Sequence, residues 1–350
     1  MRWLVDGLAP VVILAVVLTM NGRTWGQADT PIGPDPTNAG PLPYAAVAEM
    51  GPLETAAASL FGDAYDSAAW RPLTMRSFFR EGWLEPWAAG PAGRDGLTPR
   101  HGWLGAFEGL FFRLWLTPFM VEDRLRKSFG GESYSGSFAI FLPLSRRFEV
   151  FLNVPYVRSN GTDDPDHGYR HDFGDLVVTP RFLLQESVAT TQVLNLEVRA
   201  PTGRPETGGG KTALTPRYAF WTNPGGPWVA RGAAGFFIPL NQDDGRSGSD
   251  IGPGPLGQVR TGTETSFVGG LAVGRYFRPH DVPFGDLVFY AASNLNTPLG
   301  PNLVKTYVGA GLGTRFHLAN NYYFLNYWEV PVAGPRPYEY SMQLAILKTF

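Results

Sequence analysis

Residues 338–350, YEYSMQLAILKTF, end the chain and alternate between apolar and polar side chains. One face of this stretch carries Tyr338, Tyr340, Met342, Leu344, Ile346 and Phe350. The opposite face carries Glu339, Ser341, Gln343, Ala345 and Thr349, together with Leu347. A period of two predicts a β-strand with its apolar face toward lipid and its polar face toward a lumen. Lys348 would then lie at the level of the lipid headgroups, where its ammonium group reaches water.

The aromatic residue at the very end of this strand is similar to the assembly signal of outer-membrane proteins. Phe350 therefore predicts that the barrel-assembly machinery is a partner of this chain. Because single alternating strands are common in soluble β-proteins, the prediction of a barrel requires the same pattern in the rest of the chain.

The alternation recurs from about residue 104 onward, in runs of about ten residues that are separated by turn residues. The predicted strands are 104–117, 133–144, 148–158, 172–185, 191–201, 212–222, 228–240, 263–277, 286–297, 303–316, 322–331 and 338–350. The first is the weakest, because Gly105 to Leu116 could instead be helical. The pattern predicts an all-β fold: a closed antiparallel transmembrane β-barrel of about 12 strands, with a short irregular or helical N-terminal extension in the periplasm.

The lengths of the connections agree with this topology. If the C-terminus is periplasmic, the short connections 317–321, 278–285, 223–227, 186–190 and 145–147 are periplasmic. The longer connections 241–262, 202–211, 159–171 and 118–132 are then extracellular. Two external connections, 298–302 and 332–337, are short and break the contrast. Short inside and long outside is the asymmetry of outer-membrane barrels.

The N-terminus has the pattern of an export signal over residues 1–28. Arg2 precedes an apolar run from Leu8 to Met20, and Gly26-Gln27-Ala28 supplies the small residues of a cleavage site. The run is too short to span a bilayer, which needs about 20 apolar residues. We therefore expect a signal that is cleaved after about Ala28 and a mature protein in the bacterial outer membrane.

Between the signal and the barrel, residues 29–103 form a leader rich in Pro, Gly and Trp, and residues 104–350 form the barrel. The leader is interpreted as a periplasmic extension that packs on the base of the barrel. The alternative is that residues 55–103 plug the barrel or dock a partner.

Composition excludes several classes of function. With 29 basic and 31 acidic residues, the net charge of −2 does not suit a nucleic-acid partner. The absence of cysteine excludes disulfides, thiolate metal sites and a cysteine nucleophile. Charged residues are only 17% of the chain and aromatic residues are 14%, which suits a surface that faces lipid.

The charged residues of the strands identify the lumen. A charge on the lipid-facing midplane costs about 2–4 kcal/mol, so we expect these side chains to face inward. The lumen-lining candidates are Glu149, Asp175, Arg181, Glu197, Arg199, Arg217, Arg231 and Arg315. Their arginines would either brace a narrow barrel through ion pairs with carboxylates or form a constriction selective for anions or polar solutes.

A short repeat carries two of these arginines. Val178-Thr179-Pro180-Arg181-Phe182 matches Leu214-Thr215-Pro216-Arg217-Tyr218. Proline removes a ladder hydrogen bond from a strand, so Pro180 and Pro216 are expected to mark bulges near the rim.

The stretch FGDLVVTPRFLL, residues 173–184, contains a Gly-Asp pair before an alternating strand. A second stretch ends a strand in Pro-Thr-Gly, at residues 201–203, before a glycine-rich loop. Both resemble the outer-membrane transporter family associated with the meta pathway of phenol degradation, over about residues 133–350. The resemblance implies a small-molecule barrel, with aromatic or otherwise hydrophobic compounds as solutes.

No pattern in the sequence indicates a catalytic site or a metal-binding site. None of the five histidines lies beside a serine in the arrangement of a catalytic triad, so we expect no enzymatic activity. Asp163, Asp164, Asp166, His167, His171 and Asp172 form an acidic external cluster. We interpret this cluster as a solvated loop and expect neither a metal nor a cofactor.

The sequence therefore predicts a barrel that passes small solutes across the outer membrane. The lipid of that membrane is its predicted partner, because it surrounds the barrel. Two alternatives remain open. The first is a barrel without a transport role that acts as an adhesin or a structural anchor, and the second is a secreted soluble β-sandwich.

Overall fold

The computed structural model describes thirteen ranges of the chain. These are residues 102–107, 109, 114–123, 132–144, 148–161, 169–186, 190–203, 211–225, 227–241, 264–278, 284–300, 306–319 and 322–349. The predicted signal, the leader before residue 102 and Phe350 lie outside the described residues. No helix in the described ranges is long and apolar enough to cross a membrane.

Thirteen β-strands make up the described part of the chain. They are β1 (Leu114–Asp123), β2 (Ser133–Pro143), β3 (Phe148–Gly161), β4 (Tyr169–Asp172), β5 (Leu176–Glu186), β6 (Thr190–Ala200), β7 (Ala213–Gly225), β8 (Trp228–Pro239), β9 (Ser266–Tyr276), β10 (Val288–Pro298), β11 (Tyr307–Ala319), β12 (Tyr322–Ala333) and β13 (Tyr340–Thr349).

The strands form one closed antiparallel sheet. Each strand from β5 to β12 pairs with the next, β13 pairs with β1, β1 with β2, and β2 with β3. The strand β3 pairs with both β4 and β5, which are successive halves of one strand interrupted at residues 173–175. Counting β4 and β5 as one, the sheet is a barrel of twelve strands, as the sequence predicted.

Alternation in the sequence sets the faces of the strands. Along β6, TTQVLNLEVRA, every second side chain is buried, from Thr191 through Asn195 to Arg199. The intervening side chains are more exposed and lie on the outer surface. Successive side chains of a strand point to opposite faces, so this pattern alone places half of each strand inside the barrel.

The outer surface is apolar, as lipid contact requires. Leu312 on β11 is 69% exposed and Leu240 after β8 is 61% exposed. We call the end where β1 begins and β13 ends the lower end. Arg275 is a charged residue on the outer face near this end, and its guanidinium lies over the rings of Trp228 and Phe277.

Aromatic residues ring the lower end of the outer surface. Trp115 of β1 meets Tyr322 of β12 edge-on at 6.0 Å between ring centroids. Phe316 lies 5.4 Å from Phe324, and Lys348 places its Nζ 5.1 Å from the centre of the Tyr322 ring. Such a girdle is typical of the interface between lipid tails and headgroups.

The lower half of the interior is a packed apolar core. Inward-facing side chains from most of the strands form one cluster there. Leu183, Val193, Trp221 and Leu325 are fully buried within it. The upper half of the inner wall is polar, with buried Glu122, Asn294, Glu329, Ser341 and Gln343. The largest apolar cluster therefore lies in the lower half, where it also encloses buried arginines, whereas the sequence pattern predicted only a polar lumen.

The first predicted strand was wrong. The strand β1 covers Leu114–Asp123, later in the chain than the predicted 104–117. Residues 104–107 form a turn and a bend without regular secondary structure, neither the predicted strand nor the helical alternative. The predicted external connection 118–132 is correspondingly shorter, because Pro118 to Asp123 pair with β13.

Two further predictions need correction at the upper end. Tyr338, placed on the lipid-facing side of the last strand, is 1% exposed, because it precedes β13 and turns inward. The connection 159–171 is partly a ladder, since residues 158–161 of β3 pair with β4.

The two prolines of the repeat cause no bulge. Val178 pairs with Val198 and Arg181 with Asn195, so the β5–β6 register is unchanged across Pro180. The β7–β8 register is likewise unchanged across Pro216. The missing N–H leaves a gap in one ladder, while Pro180 still opposes Val150 and Pro216 still opposes Leu196 on the other side.

A charge introduced on the outer surface should cost more at mid-strand than near the end. We expect Leu312→Lys to lower the free energy of unfolding by about 2–4 kcal/mol, because mid-strand β11 lies in the hydrocarbon. Leu318→Lys, near the lower end of the same strand, should cost about 0–1 kcal/mol. Urea titration of the barrel in lipid vesicles measures both values. Equal costs would contradict a lipid-facing β11.

Candidate functional site: the lumen

The structure places all eight predicted lumen candidates on the inner wall, none of them more than 8% exposed. Arg231, Arg315 and Arg181 belong to the lower half and are among the largest fully buried side chains. A buried guanidinium is expensive unless it is paired, so the partners of these arginines decide what the lumen can do.

Carboxylates pair with three of the arginines. Arg181 Nη1 forms an ion pair with Glu149 Oε1, and its Nε donates to Asn195 Oδ1 at 2.8 Å. Arg217 Nη2 forms an ion pair with Glu197 Oε2. The β3–β5 pairing brings Glu149 directly opposite Arg181. Such pairs cross between strands and brace the wall of the barrel.

Arg315 has a partner that the sequence did not suggest. Its Nη2 lies 3.7 Å from Oδ2 of Asp286, which is 1% exposed and precedes β10. Tyr323 Oη also donates to Asp286 Oδ2, at 3.3 Å. Asp286 falls in the predicted strand 286–297 but at its start, where the period of two gives little information about direction.

Aromatic rings cover the arginines on their second side. Arg181 lies 5.0 Å from the ring centre of Phe141, and Arg217 lies 4.6 Å from that of Phe107. Arg231 lies 4.4 Å from the ring of Trp103. Cation–π contacts of this kind gain strength where water is excluded.

Two of these rings belong to residues that precede the barrel. Trp103, Leu104, Ala106 and Phe107 are all buried. We call residues 102–107 and 109 the inner segment. A Cβ on Gly102 would lie 2.8 Å from Leu347 of β13, and one on Gly109 would lie 2.6 Å from the backbone of Phe220 on β7. The inner segment therefore crosses the lumen from one wall to another.

An aromatic column runs through the inner segment. Trp103 stacks on Tyr290 with ring centroids 4.6 Å apart, and Tyr290 stacks on Tyr327 at 6.1 Å. Arg231 caps the other face of Trp103. Trp103 Nε1 also donates to the hydroxyl of Tyr276 at 3.2 Å. Three strands, β8, β9 and β10, thereby hold one side chain of the inner segment.

The wall makes room for the inner segment with glycine. A Cβ on Gly274 would lie 2.6 Å from the Trp103 ring, and one on Gly105 would lie 2.1 Å from the Tyr327 ring. Gly105 also has a φ of 66°, which side chains rarely adopt. These two positions show that wall and segment are fitted to each other.

A cavity lies between the inner segment and the wall formed by β13, β1–β3 and β5–β7. Its apolar lining includes aromatic rings and leucines: Trp103, Phe107, Leu114, Leu116, Phe141, Phe151 and Leu347. Thr179, Arg181, Asn195 and Arg217 form a polar edge. Each arginine of this edge is paired with a carboxylate, so the edge has polar groups but little net charge.

Asp175 and Arg199 lie toward the upper end. Gly203 N donates to Asp175 Oδ1 at 3.1 Å, and Leu176 N donates to Thr202 Oγ1 at 2.9 Å. A Cβ on Gly203 would lie 2.6 Å from the backbone of Gly174. The Gly-Asp pair and the Pro-Thr-Gly ending of the next strand, noted separately in the sequence, therefore form one contact.

The family described by the words "MetA-pathway of phenol degradation" matches residues 104–295. The chain belongs to this family. The matched range includes the Gly-Asp strand and the Pro-Thr-Gly ending, so the resemblance drawn from these residues is confirmed. No curated protein sequence matches the chain.

Several solved structures are similar to this member of the phenol-degradation family. An outer membrane channel from Pseudomonas putida F1 is 13% identical, with a TM-score of 0.49 over 70% of this chain and 98% of that chain. The NanC porin is 8% identical, with a TM-score of 0.42 over 68% and 98%. The KdgM porin is 5% identical, with a TM-score of 0.43 over 67% and 99%.

The sequence did not identify the inner segment or Glu329 as parts of the lumen of this family member. On β12 the sequence left the two faces unassigned, because Tyr and Trp occur on both. The structure buries Tyr323, Tyr327 and Glu329 and exposes Trp328. Glu329 is the only charge of β12, so the cost of a charge in lipid could have assigned its face.

The described residues contain no cluster of three or more His, Asp or Glu that could hold a metal ion. His171 is exposed at the upper end, while most of the acidic external cluster lies outside the described ranges.

If Arg181 braces the wall, removing its guanidinium should destabilise the barrel, because the buried carboxylate of Glu149 is then left without its ion-pair partner. We expect Arg181→Gln to lower the free energy of unfolding by about 3–5 kcal/mol, because Glu149 loses its guanidinium. The double variant with Glu149→Gln should recover most of that loss, and Arg275→Gln on the outer surface should change little. Urea titration in vesicles measures each value, and an Arg181→Gln barrel as stable as the unsubstituted one would exclude a bracing role.

Proposed function

We propose that this protein is an outer-membrane channel for small, uncharged and largely apolar solutes, which bind in the cavity beside the inner segment. The cavity is the observation that carries the proposal. Its surface is mostly leucine and aromatic side chains, with a few polar groups on one side. A concave, mostly apolar site with few polar groups is the usual form of a small-molecule site.

The charges at the cavity favour an uncharged solute. Arg181 and Arg217 are each paired with a glutamate, so two positive charges face two negative charges. An ion entering this site would lose its hydration without gaining a net countercharge. An apolar solute loses nothing comparable, and the aromatic lining offers it dispersion contacts.

One polar group at the cavity is available to a solute. Within the described part of the chain, Thr179 Oγ1 has no hydrogen-bond partner, although Thr179 is only 3% exposed. A buried hydroxyl without a partner costs free energy that a solute hydroxyl can recover. A small aromatic ring with one hydroxyl matches both features of the cavity, and phenol, named in the description of the family, has this chemistry.

Location and partners follow from the same proposal. The apolar outer surface and aromatic girdle support lipid as the surroundings of the barrel. The predicted signal and the terminal Phe350 support export and assembly into the outer membrane, with the lower end in the periplasm. The chain would act without a cofactor and without catalysis.

Binding of phenol and toluene distinguishes the polar contribution from the apolar one. Thr179→Val keeps the volume of the side chain and removes its hydroxyl, so we expect phenol to bind about threefold to tenfold more weakly. Binding of toluene should not change. Thr215→Val is the matched control, because Thr215 is an equally buried inward residue of β7 that does not line the cavity. Quenching of tryptophan fluorescence in the purified barrel measures the affinities.

Uptake into vesicles tests transport itself. Lipid vesicles containing the barrel should take up phenol faster than empty vesicles, and the Thr179→Val variant should lower the rate. Binding without faster uptake would favour the alternative of a barrel that serves only as an anchor or adhesin. Equal loss of phenol and toluene in Thr179→Val would exclude the proposed hydrogen bond.

A further inference from the structure

Glu329 lies at the centre of a buried network in the upper half of the lumen. Tyr307 Oη and Tyr338 Oη each donate to its Oε1 at 2.7 Å. Tyr327 Oη and Asn294 Nδ2 each donate to its Oε2 at 2.8 Å. Each carboxylate oxygen thus has two donor groups within hydrogen-bond distance, and the hydroxyls of Tyr307 and Tyr338 also lie 2.7 Å from each other.

All four donors to Glu329 are neutral groups. Among the described residues, three phenols and one amide hold this carboxylate, which is 1% exposed, and they give it charge-assisted hydrogen bonds without a countercharge. Burial raises the pKa of the Tyr338 hydroxyl well above its ordinary value, so this hydroxyl keeps its proton and remains a donor. We call Glu329 and its four donors the hub. Its hydrogen bonds make it a rigid group in which both oxygens of Glu329 are occupied by donors and are not open to a metal ion.

Asn294 connects this hub to the inner segment. Its Nδ2 donates one hydrogen bond to Glu329 Oε2 and another to the carbonyl of Gly105, at 3.0 Å. The reversed amide would place Oδ1 against a carboxylate and a carbonyl, both of which are acceptors. Glu329 therefore fixes the orientation in which Asn294 can hold Gly105.

A second contact reaches the inner segment from the same hub. The Tyr327 ring, whose hydroxyl binds Glu329, occupies the space where Gly105 would carry a Cβ. Tyr327 also stacks on Tyr290, which donates to the carbonyl of Leu104 at 3.0 Å. Two consecutive carbonyls of the inner segment are thus held by side chains that Glu329 or its partner positions.

We infer that Glu329 is the positioning residue that keeps the inner segment seated across the lumen, acting through Asn294 and Tyr327. Tyr338 extends this relay to the connection between β12 and β13 at the upper end. A change at that connection is therefore transmitted to Gly105 through hydrogen bonds alone. The inference goes beyond the proposed function, because it concerns what holds the inner segment in place and not which solute crosses the barrel.

The absence of cysteine in the chain allows a direct test. Ala106→Cys places a single thiol on the inner segment, where Ala106 is 5% exposed. A membrane-impermeant maleimide should label this thiol slowly in the purified barrel. We expect Asn294→Leu and Glu329→Gln, each added to Ala106→Cys, to increase the labelling rate about tenfold. Asn294→Leu removes the donor to Gly105, and Glu329→Gln replaces one of the two accepting oxygens with an NH₂ donor, which opposes the hydrogens of the groups around it.

Two matched controls separate the relay from general loosening. Asn296→Leu changes a second buried, inward amide of β10 that is not bonded to the inner segment, and it should leave labelling at the background rate. Tyr338→Phe removes one donor to Glu329 without touching the inner segment and should increase labelling about threefold. Tyr340→Phe, two residues along and exposed, should have no effect.

The outcomes decide the inference in either direction. Faster labelling in Asn294→Leu, Glu329→Gln and Tyr338→Phe, with both controls at background, supports the relay. Background labelling in Glu329→Gln and Tyr338→Phe overturns it, as does equal acceleration by Asn296→Leu. Heat-modifiable mobility in gel electrophoresis shows that each variant remains a folded barrel. Because labelling needs no solute, a failed relay and a failed channel are distinguishable.

Discussion

Every strand of this protein depends on closure of the hydrogen-bond ladder. In lipid no water is available to backbone N–H and C=O groups, so a sheet can span the membrane only if it has no free edge. The pairing of β13 with β1, and the continuous pairing of β1 through β2 to β3, supplies that closure. Once the cylinder is closed, contact with lipid requires apolar side chains on the outer face. Only the inner face can then carry polar and charged side chains.

The two halves of the interior stabilise their buried charged groups in different ways. In the lower half, apolar side chains and the inner segment fill the lumen, and the buried arginines are held by carboxylates and aromatic rings together. In the upper half, the partners of Glu329 in the described part of the chain are phenols and an amide. The lower half thus resembles the core of a soluble domain, whereas the upper half is a hydrogen-bonded scaffold.

The inner segment makes these two halves interdependent. Trp103 is held by Arg231 and Tyr290 in the core, and Gly105 is held by Asn294 at the border with the polar half. The cavity lies beside the segment because the residues of β1–β3 that face it are apolar and leave space next to Phe107. The cavity and the contacts that hold the inner segment therefore meet at Trp103.

The sequence by itself determined the barrel, the number of its strands and the direction of most charged side chains. A period of two is a local property, and the cost of a charge in lipid is large, so Arg181, Arg217 and Glu197 could be assigned to the inner face from the sequence alone. The motif of Gly174 and Asp175 was also readable, as a resemblance to a family. It carried no indication that its partner was Gly203.

Only the tertiary structure decided what fills the lumen. Nothing in residues 102–107 is periodic, so local pattern could not show that Trp103 crosses the barrel to meet Arg231 and Tyr290. Gly274 and Tyr338 likewise acquire their roles from residues that are distant in sequence: one makes room for Trp103, and the other turns inward to Glu329. Alternation specifies a face, whereas a contact across the lumen depends on the curvature and closure of the whole sheet.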